Sequence, residues 1–271
     1  TLFRSIYPRQ GQTFMGHRVR EMCEDRQGLV WIGTEDKGLL CYNPETGLLK
    51  PVETHLLTQN IHGLATDGEY LWVGAFDGGL ERIRQADGSR RVYLADGQTG
   101  SLQSNYVFSL LCSRDGTLWV GLPTGLMRYD RRTDSFFSVE GSPAAFVYNI
   151  LEDHGGTLWL ATYADGLYSY DRRTHKTRHF AYQNGRDGGI ADSKVISLYE
   201  DSHRRFWVMT HDGGLSLLDR KTGHFKSCEL DKEGRCNLVY RMVEDRLGRL
   251  WCSTNNGLVR FNPNTGQSII Y

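Results

Sequence analysis

The residues best suited to chemistry in this chain are aromatic, amide and charged side chains that recur at two places in six sequence repeats. One place is at the start of the first predicted strand of a repeat, and the other follows its second strand. The candidate binding residues are Arg18, Arg20, Phe76, Asp77, Tyr106, Tyr148, Tyr163, Lys194, His211, Tyr240, Arg241 and Asn255. Aromatic faces stack on the apolar side of a pyranose ring, while amide and charged groups bond its hydroxyls. We therefore expect an oligosaccharide ligand, including one that carries a carboxylate or sulfate.

Two alternatives apply to these residues. Any one of them can be an exposed loop residue without a ligand, because loops lie on the surface in any case. Arg241 can also form an ion pair with Glu21, if the first and last repeats are neighbours in a ring.

Catalytic and metal-binding patterns are not recognisable. The nine histidines show no HExxH motif and no paired metal spacing. The Ser, His and Asp residues form no recognisable triad, and no glycine-rich segment follows a strand and opens a helix to hold a phosphate. We therefore expect this chain to have no catalytic residues, no metal site and no cofactor.

Six tryptophans mark the repeats that must position the candidate residues. They are Trp31, Trp72, Trp119, Trp159, Trp207 and Trp251, spaced 40 to 48 residues apart. Each repeat has an apolar first strand, a tight turn, the tryptophan strand, a third strand that in most repeats begins Gly-Leu, and an outer strand. Four strands at this period predict a propeller blade. The fold class is therefore all-β, a β-propeller of six four-stranded antiparallel blades with each tryptophan packed between blades.

We expect one propeller domain over residues 1–271, because the repeat runs through the whole chain. In a propeller, the loops before the first strand and after the second converge on one face, where the candidate residues would meet. Leu2 to Tyr7 and Gln267 to Tyr271 both have the pattern of an outer strand. The alternative is therefore part of a larger seven-bladed ring or a tandem propeller. Removal of Leu2 to Tyr7 should destabilise the chain only if that strand completes a blade.

Charge and cysteine patterns exclude some classes of protein. The chain has 32 Lys plus Arg and 32 Asp plus Glu, so we expect no nucleic-acid partner. No apolar run could span a bilayer, and we expect membrane attachment only through segments downstream of this sequence. Cys23, Cys41, Cys112 and Cys252 lie in predicted strands as buried free thiols. Cys228 and Cys236 flank a short loop and could form a disulfide in an oxidising compartment.

The repeat resembles that of the two-component regulator propeller family. Its phrase Asp-x-x-Gly-x-Leu-Trp-Ile-Gly-Thr is matched best by Asp25 to Thr34, Asp153 to Thr162 and Asp245 to Thr254, and blades two and three depart from it. The resemblance implies a periplasmic sensor region of a hybrid histidine kinase in the inner membrane. It also implies detection of oligosaccharides from polysaccharide breakdown, and we expect a homodimer in the parent protein.

Two other classes compete with a sensor. The segment Ser113 to Trp119 also resembles the Asp-box of sialidases, so a six-bladed glycan-processing enzyme of sialidase or lyase type is one alternative. Such an enzyme needs three carboxylate-binding arginines and a Tyr/Glu pair, and no such set can be assigned. The other alternative is a non-catalytic propeller that docks partner proteins.

Overall fold

A computed structural model describes residues 18–185 and 187–271, which form six four-stranded antiparallel sheets, here called blades one to six. In the unit Thr1–Val139, the strands are β1 Val19–Glu24, β2 Val30–Thr34, β3 Leu39–Asn43, β4 Leu48–Val52, β5 Ile61–Thr66, β6 Tyr70–Ala75, β7 Gly79–Arg84, β8 Arg90–Tyr93, β9 Ser109–Cys112, β10 Leu118–Leu122, β11 Gly125–Asp130 and β12 Ser135–Ser138. In the unit Glu140–Tyr271, they are β13 Val147–Glu152, β14 Leu158–Thr162, β15 Leu167–Asp171, β16 Lys176–Phe180, β17 Val195–Glu200, β18 Phe206–Thr210, β19 Gly214–Asp219, β20 His224–Cys228, β21 Val239–Glu244, β22 Leu250–Thr254, β23 Gly257–Asn262 and β24 Gln267–Ile270. The predicted six-bladed, all-β propeller class is confirmed.

A β-bulge marks the start of the first strand in five of the six described blades. The register between the first and second strands shifts there, so one residue of the first strand has no opposite partner. These residues are Arg20, His62, Tyr148, Ile196 and Tyr240. A bulge turns one side chain away from the regular alternation of a strand. The bulges therefore allow apolar strands to present side chains at the edge where the candidate residues lie.

The turn between the first and second strands explains the Asp-to-Trp spacing of the repeat. In blade five, Asp201 Oδ1 accepts bonds from backbone amides of the turn, and Asp201 Oδ2 accepts the Trp207 indole N–H at 3.0 Å. Asp25, Ser113, Asp153 and Asp245 accept the indole N–H in the same way in four other blades. Blade two has Thr66 at this place, and Trp72 Nε1 has no hydrogen-bond partner in the described part of the chain. The departure seen in its sequence therefore removes a specific bond.

Aromatic packing between blades is formed inside each unit. In the first unit, Trp72 packs against Tyr93 of its own blade and Tyr129 of blade three. In the second unit, the Trp159 ring lies 4.5 Å from that of Phe206, and Trp207 lies 5.9 Å from Phe261. The predicted packing of these tryptophans between adjacent blades is confirmed.

The glycine of the Trp-x-Gly pattern lies where two blades approach each other closely, in blade one and again in blade two. A Cβ atom added to Gly74 would lie 2.4 Å from Cγ1 of Val107 in blade three. Gly33 has the same relation to Ile61 of blade two, at 2.7 Å from Cγ2. A glycine at this place therefore leaves room for a β-branched side chain of the next blade to pack against the strand.

Several sequence predictions have a definite outcome. Cys228 and Cys236 are free thiols and form no disulfide. Cys252 is buried as predicted, and burial raises the pKa of its thiol to about 12, whereas Cys23 and Cys41 are only half-buried. Residues 18–185 and 187–271 contain no helix with the length and apolarity to cross a bilayer. The proposed closing role of Leu2 to Tyr7 lies outside the described residues, and the single domain over residues 1–271 stays a prediction.

Candidate functional site

One backbone hydrogen bond joins the two predicted loops within five of the blades. The residue just after the second strand donates its N–H to the carbonyl of the residue directly before the first strand. The pairs are Glu35 to Arg18, Phe76 to Asn60, Tyr163 to Phe146, His211 to Lys194, and Asn255 to Leu238. In blade three the donor position is Pro123, which has no N–H. The two loops of a blade therefore lie side by side, at what is here called the loop edge of a blade, whereas the convergence of all these loops on one face stays a prediction.

Four rings at the loop edges of blades two and three form the first aromatic corner: His62, Phe76, Tyr106 and Phe108. The Phe76 ring meets Tyr106 at 4.9 Å and 85°, and Phe108 at 5.6 Å and 85°. His62 lies 5.5 Å from Phe76 and 5.3 Å from Phe108. Phe76 and Tyr106 keep 38% and 37% of their surface exposed. Their edge-to-face arrangement thus leaves aromatic surface open to a ligand.

The loop that carries Phe76 is held by bonds at several points. Thr58 Oγ1 donates to the Phe76 carbonyl at 2.8 Å, and the Gly78 and Gly79 amides donate to the Asn105 carbonyl at 3.1 and 2.9 Å. Asp77, at the tip, has a φ of 53°, a left-handed conformation that Asp tolerates better than most residues. Asp77 and Phe76 therefore lie on one fixed turn, braced against the next blade.

Polar atoms enclosed beside this corner lack partners. Asn60 Oδ1, His62 Nε2 and Ser109 Oγ are buried and have no hydrogen-bond partner in the described part of the chain. Burial lowers the pKa of His62 to about 4, and the positive charge of Arg20 contributes in the same direction. The imidazole is therefore neutral at physiological pH, and it combines an aromatic face with a hydrogen-bonding nitrogen.

Three rings in blade four form the second aromatic corner: Phe146, Tyr148 and Tyr163. Their centroids lie 5.5 to 5.9 Å apart, and all three are partly exposed. The Tyr163 amide bonds the Phe146 carbonyl at 3.1 Å, and the Gly166 amide bonds Ser193 of the next blade at 2.8 Å. The structure therefore brings together two predicted residues, Tyr148 at the bulge of β13 and Tyr163 on a braced loop.

The second corner's loop is also tied to its own blade. The Asp165 amide donates to Thr162 Oγ1 at 3.1 Å, and the Tyr168 hydroxyl donates to the Asp165 carboxylate. His179 Nε2 lies 2.7 Å from the Asp165 carbonyl, and its ring stacks on Tyr168 with centroids 4.0 Å apart. These contacts order the residues immediately after Tyr163.

The cationic candidates in blades one and five have acidic partners. Arg18 Nη1 lies 3.3 Å from Glu35 Oε2, and Arg20 pairs with the same carboxylate. Lys194 Nζ lies 3.6 Å from Asp212 Oδ2. An anion that approached these cations would therefore have to compete with carboxylates of the chain itself.

His211 and Arg241 are also engaged. His211 Nδ1 lies 3.0 Å from Asp212 Oδ1. The hydrogen bond from His211, together with the charges of His211 and Lys194, lowers the pKa of Asp212. Arg241 Nη1 donates to the Ile196 carbonyl at 3.3 Å, which links blade six to blade five.

The last two candidates lie on blade six, within the second unit. Tyr240 is exposed at its bulge. Asn255 accepts the Leu238 amide at 3.2 Å and donates to Asn237 Oδ1 at 3.0 Å, so its side chain organises the loop. The described ranges contain no group of three His, Cys, Asp or Glu side chains arranged to hold a metal ion. Tyr240 and Asn255 offer a ligand stacking and hydrogen bonding, respectively.

Three further ring residues lie in these corners, His62, Phe108 and Phe146, and sequence reasoning missed the last two. His62 occupies the same bulge position as Arg20, Tyr148 and Tyr240, and Phe108 follows Val107 at the equivalent place in blade three. Alignment of the repeats on the first residue of the core strand would have found Phe108. Phe146 precedes that residue, and only its contact with Tyr163 reveals it.

Sequence comparison finds both a repeat family and a signalling protein. Residues 13–36, 101–123 and 141–164 match the family described as "Two component regulator propeller". The chain is also 26% identical over 284 residues to Histidine kinase P4 of Formosa agariphila. That match covers 93% of this chain and 19% of the relative, so the chain spans about a fifth of the relative's length.

Structure comparison finds propellers of several kinds. The extracellular domain of BT3049 from B. thetaiotaomicron, which is assigned to the hybrid two component systems, matches with a TM-score of 0.77 and 20% identity over 94% of this chain and 35% of that one. A catalytically inactive virginiamycin B lyase from Staphylococcus aureus, with quinupristin, matches with a TM-score of 0.75 and 12% identity over 96% and 86%. At these identities the likeness shows the β-propeller fold alone. The three matched stretches are similar to repeats of the two-component regulator propeller family.

Proposed function

We propose that this chain is the extracytoplasmic ligand-sensing part of a two-component signalling protein and that its ligand is an oligosaccharide. The family repeats, the similarity to a histidine kinase and the extracellular domains among the structural relatives support the sensing role. The proposal includes a periplasmic position in an inner-membrane protein and a parent protein that is a homodimer.

The oligosaccharide part of the proposal depends on one observation, the two aromatic corners at the loop edges. Phe76 and Tyr106 present ring surface beside neutral polar groups, and Tyr148 and Tyr163 present phenol rings. A sugar offers the complementary surface, with apolar C–H faces and hydroxyls at its edges. Such a ligand buries little apolar area, so we expect a dissociation constant in the micromolar range, which corresponds to a binding free energy of about −8 kcal/mol.

The charge of the ligand divides the proposal into two forms. Arg18, Arg20, Lys194 and Arg241 favour a carboxylate- or sulfate-bearing glycan. The ion pairs of Arg20 with Glu35 and of Lys194 with Asp212 favour a neutral one, because an anion would have to displace a carboxylate. A neutral glycan leaves these ion pairs intact, and we therefore propose a neutral glycan over an anionic one.

An enzyme is the main competing function. The structural match to virginiamycin B lyase is a match to an enzyme with the same fold, but at 12% identity it supports the fold and not the reaction. The aromatic corners favour binding, because their partly exposed rings provide surface on which a sugar can stack. A protein-docking propeller would also use these edges, with a protein surface in place of a glycan.

Calorimetric titration of the chain against a glycan panel tests this proposal. The panel contains neutral, uronic-acid and sulfated oligosaccharides, and each mixture is then separated by chromatography to detect products. We expect saturable binding of at least one glycan without product formation. Turnover of a glycan would replace the sensor with an enzyme, and the absence of binding across the panel would overturn the glycan ligand.

A further inference from the structure

We infer that the chain holds two separate subsites for a neutral sugar ring, the first at His62, Phe76 and Tyr106 and the second at Phe146, Tyr148 and Tyr163. This inference rests on the proposed glycan ligand and adds the number, position and character of the subsites. Each corner belongs to one compact unit of the chain.

The two corners share one construction. In each, an aromatic residue directly after the second strand, Phe76 or Tyr163, is fixed by a backbone bond to the loop before the first strand. A bulge residue, His62 or Tyr148, then places a second ring 5.5 Å from it. The other three blades with this backbone bond have Glu35, His211 and Asn255 at the donor position. Only blades two and four of the described chain thus combine the bond with a Phe or Tyr at the donor position.

Both corners are braced by backbone hydrogen bonds. The first is braced by the Asn105 carbonyl of the adjoining loop, and the second by the Ser193 carbonyl that precedes blade five. A ring held in place loses little freedom when a sugar stacks on it, so more of the stacking energy contributes to affinity. This bracing distinguishes the corners from an exposed tyrosine on an ordinary loop.

The corners differ in what they offer around the stacked ring. The first has a neutral imidazole at His62, held among Phe76 and Phe108, and the amide of Asn60 close to the same turn. The second has two phenol rings, at Tyr148 and Tyr163. The rings of both corners belong to Phe, Tyr and neutral His side chains and include no Lys or Arg that could pair with an anionic sugar. For this reason we assign uncharged sugar rings to them.

Titration of paired variants tests the two subsites, with cellobiose, maltose and the corresponding methyl glucosides as probes. One variant removes the first corner (Phe76→Leu with Tyr106→Leu), and the other removes the second (Tyr148→Leu with Tyr163→Leu). Leucine keeps apolar volume but removes the ring, and circular dichroism checks that each variant is folded. Tyr182→Leu is the matched control, because Tyr182 is an exposed tyrosine on the loop after β16 and belongs to neither corner.

We expect the unaltered chain to bind two molecules of a methyl glucoside, and each paired variant to bind one, with at least tenfold loss at the altered corner. The Tyr182→Leu variant should bind two. One bound molecule that disappears in both paired variants would mean a single composite site, and binding unaffected in both would place the ligand elsewhere. Either result overturns the two subsites while the glycan ligand stands. Failure of these neutral probes while an anionic glycan of the wider panel binds also overturns this inference alone, and failure of every glycan overturns the proposed function with it.

Discussion

The rings of Phe76 and Tyr106 meet edge to face with centroids 4.9 Å apart, one on the loop after β6 and the other on the loop before β9. The contact joins blade two to blade three at their loop edges. Because the rings are nearly perpendicular, each keeps more than a third of its surface open. The contact therefore fixes the angle between two potential stacking surfaces within the first unit.

The bond between Asp201 and Trp207 should be visible in stability. Trp207 and Trp72 are each 1% exposed, but only Trp207 donates its indole N–H within the described chain. We expect Trp207→Phe to lower the free energy of unfolding by about 1 kcal/mol more than Trp72→Phe, because it also leaves a buried carboxylate oxygen short of one donor. Urea unfolding followed by circular dichroism measures the difference, and equal losses would contradict this role of the Asp-to-Trp spacing.

Close packing at Gly74 should make it intolerant of a methyl group. Gly74→Ala places a Cβ 2.4 Å from Val107 Cγ1, and we expect a loss of about 2 kcal/mol in the free energy of unfolding. In a chain that already carries Val107→Ala, Gly74→Ala should lower the free energy of unfolding by less than it does in the unaltered chain, because the clashing methyl group is absent. Gly155→Ala is the control, because Gly155 also lacks a positive φ and an added Cβ would come no closer than 3.3 Å, to Asp153 Oδ1. Additive effects of the Gly74 and Val107 changes would show that the contact is not the cause.

Neutral His62 should make stability depend on pH. Its pKa is lowered to about 4, mainly by burial, whereas the unfolded chain has the ordinary value of about 6.5. Below pH 6.5 the unfolded state therefore binds the proton first. The stability contribution is fully present above pH 6.5 and is lost as the pH falls towards 4, on the order of 2 kcal/mol after solvent screening.

The matched variant for this test is His62→Phe, because blade three has Phe108 at the equivalent place. We expect the unfolding free energy of the unaltered chain to fall between pH 7 and pH 4.5 by more than that of the variant. Parallel losses in the two proteins would mean that His62 is not held neutral by its surroundings.

The sequence predicted the blades well because the signal is repeated. Trp31, Trp159 and Trp251 lie at one place in three copies of the same phrase, and each lies in the second strand of its blade. The spacing of Asp201 and Trp207 was visible too. Its meaning as a hydrogen bond depends on the turn that brings the carboxylate back to the indole, and that turn appears only in the structure.

The candidate site was only partly predictable. The positions of Phe76 and Tyr163 follow from the repeat, so their place at the loop edges could be read from the sequence. The bulges could not, because a bulge is defined by the pairing register of two strands, which the sequence alone does not show. The partners of Arg20 and Lys194 were also missed, because a pairing across a loop edge depends on side-chain direction and not on spacing.

Binding of a glycan at the loop edges is the central claim, and titration of Tyr148→Ala and Tyr163→Ala with the tightest-binding glycan of the panel tests it most directly. We expect each change to weaken binding by about 1 to 2 kcal/mol, or roughly 5- to 30-fold, through lost stacking. His175→Asn, in the outer turn between β15 and β16, should bind like the unaltered chain. A glycan that binds the unaltered chain and both tyrosine variants equally well would contradict the account and place its ligand away from these edges.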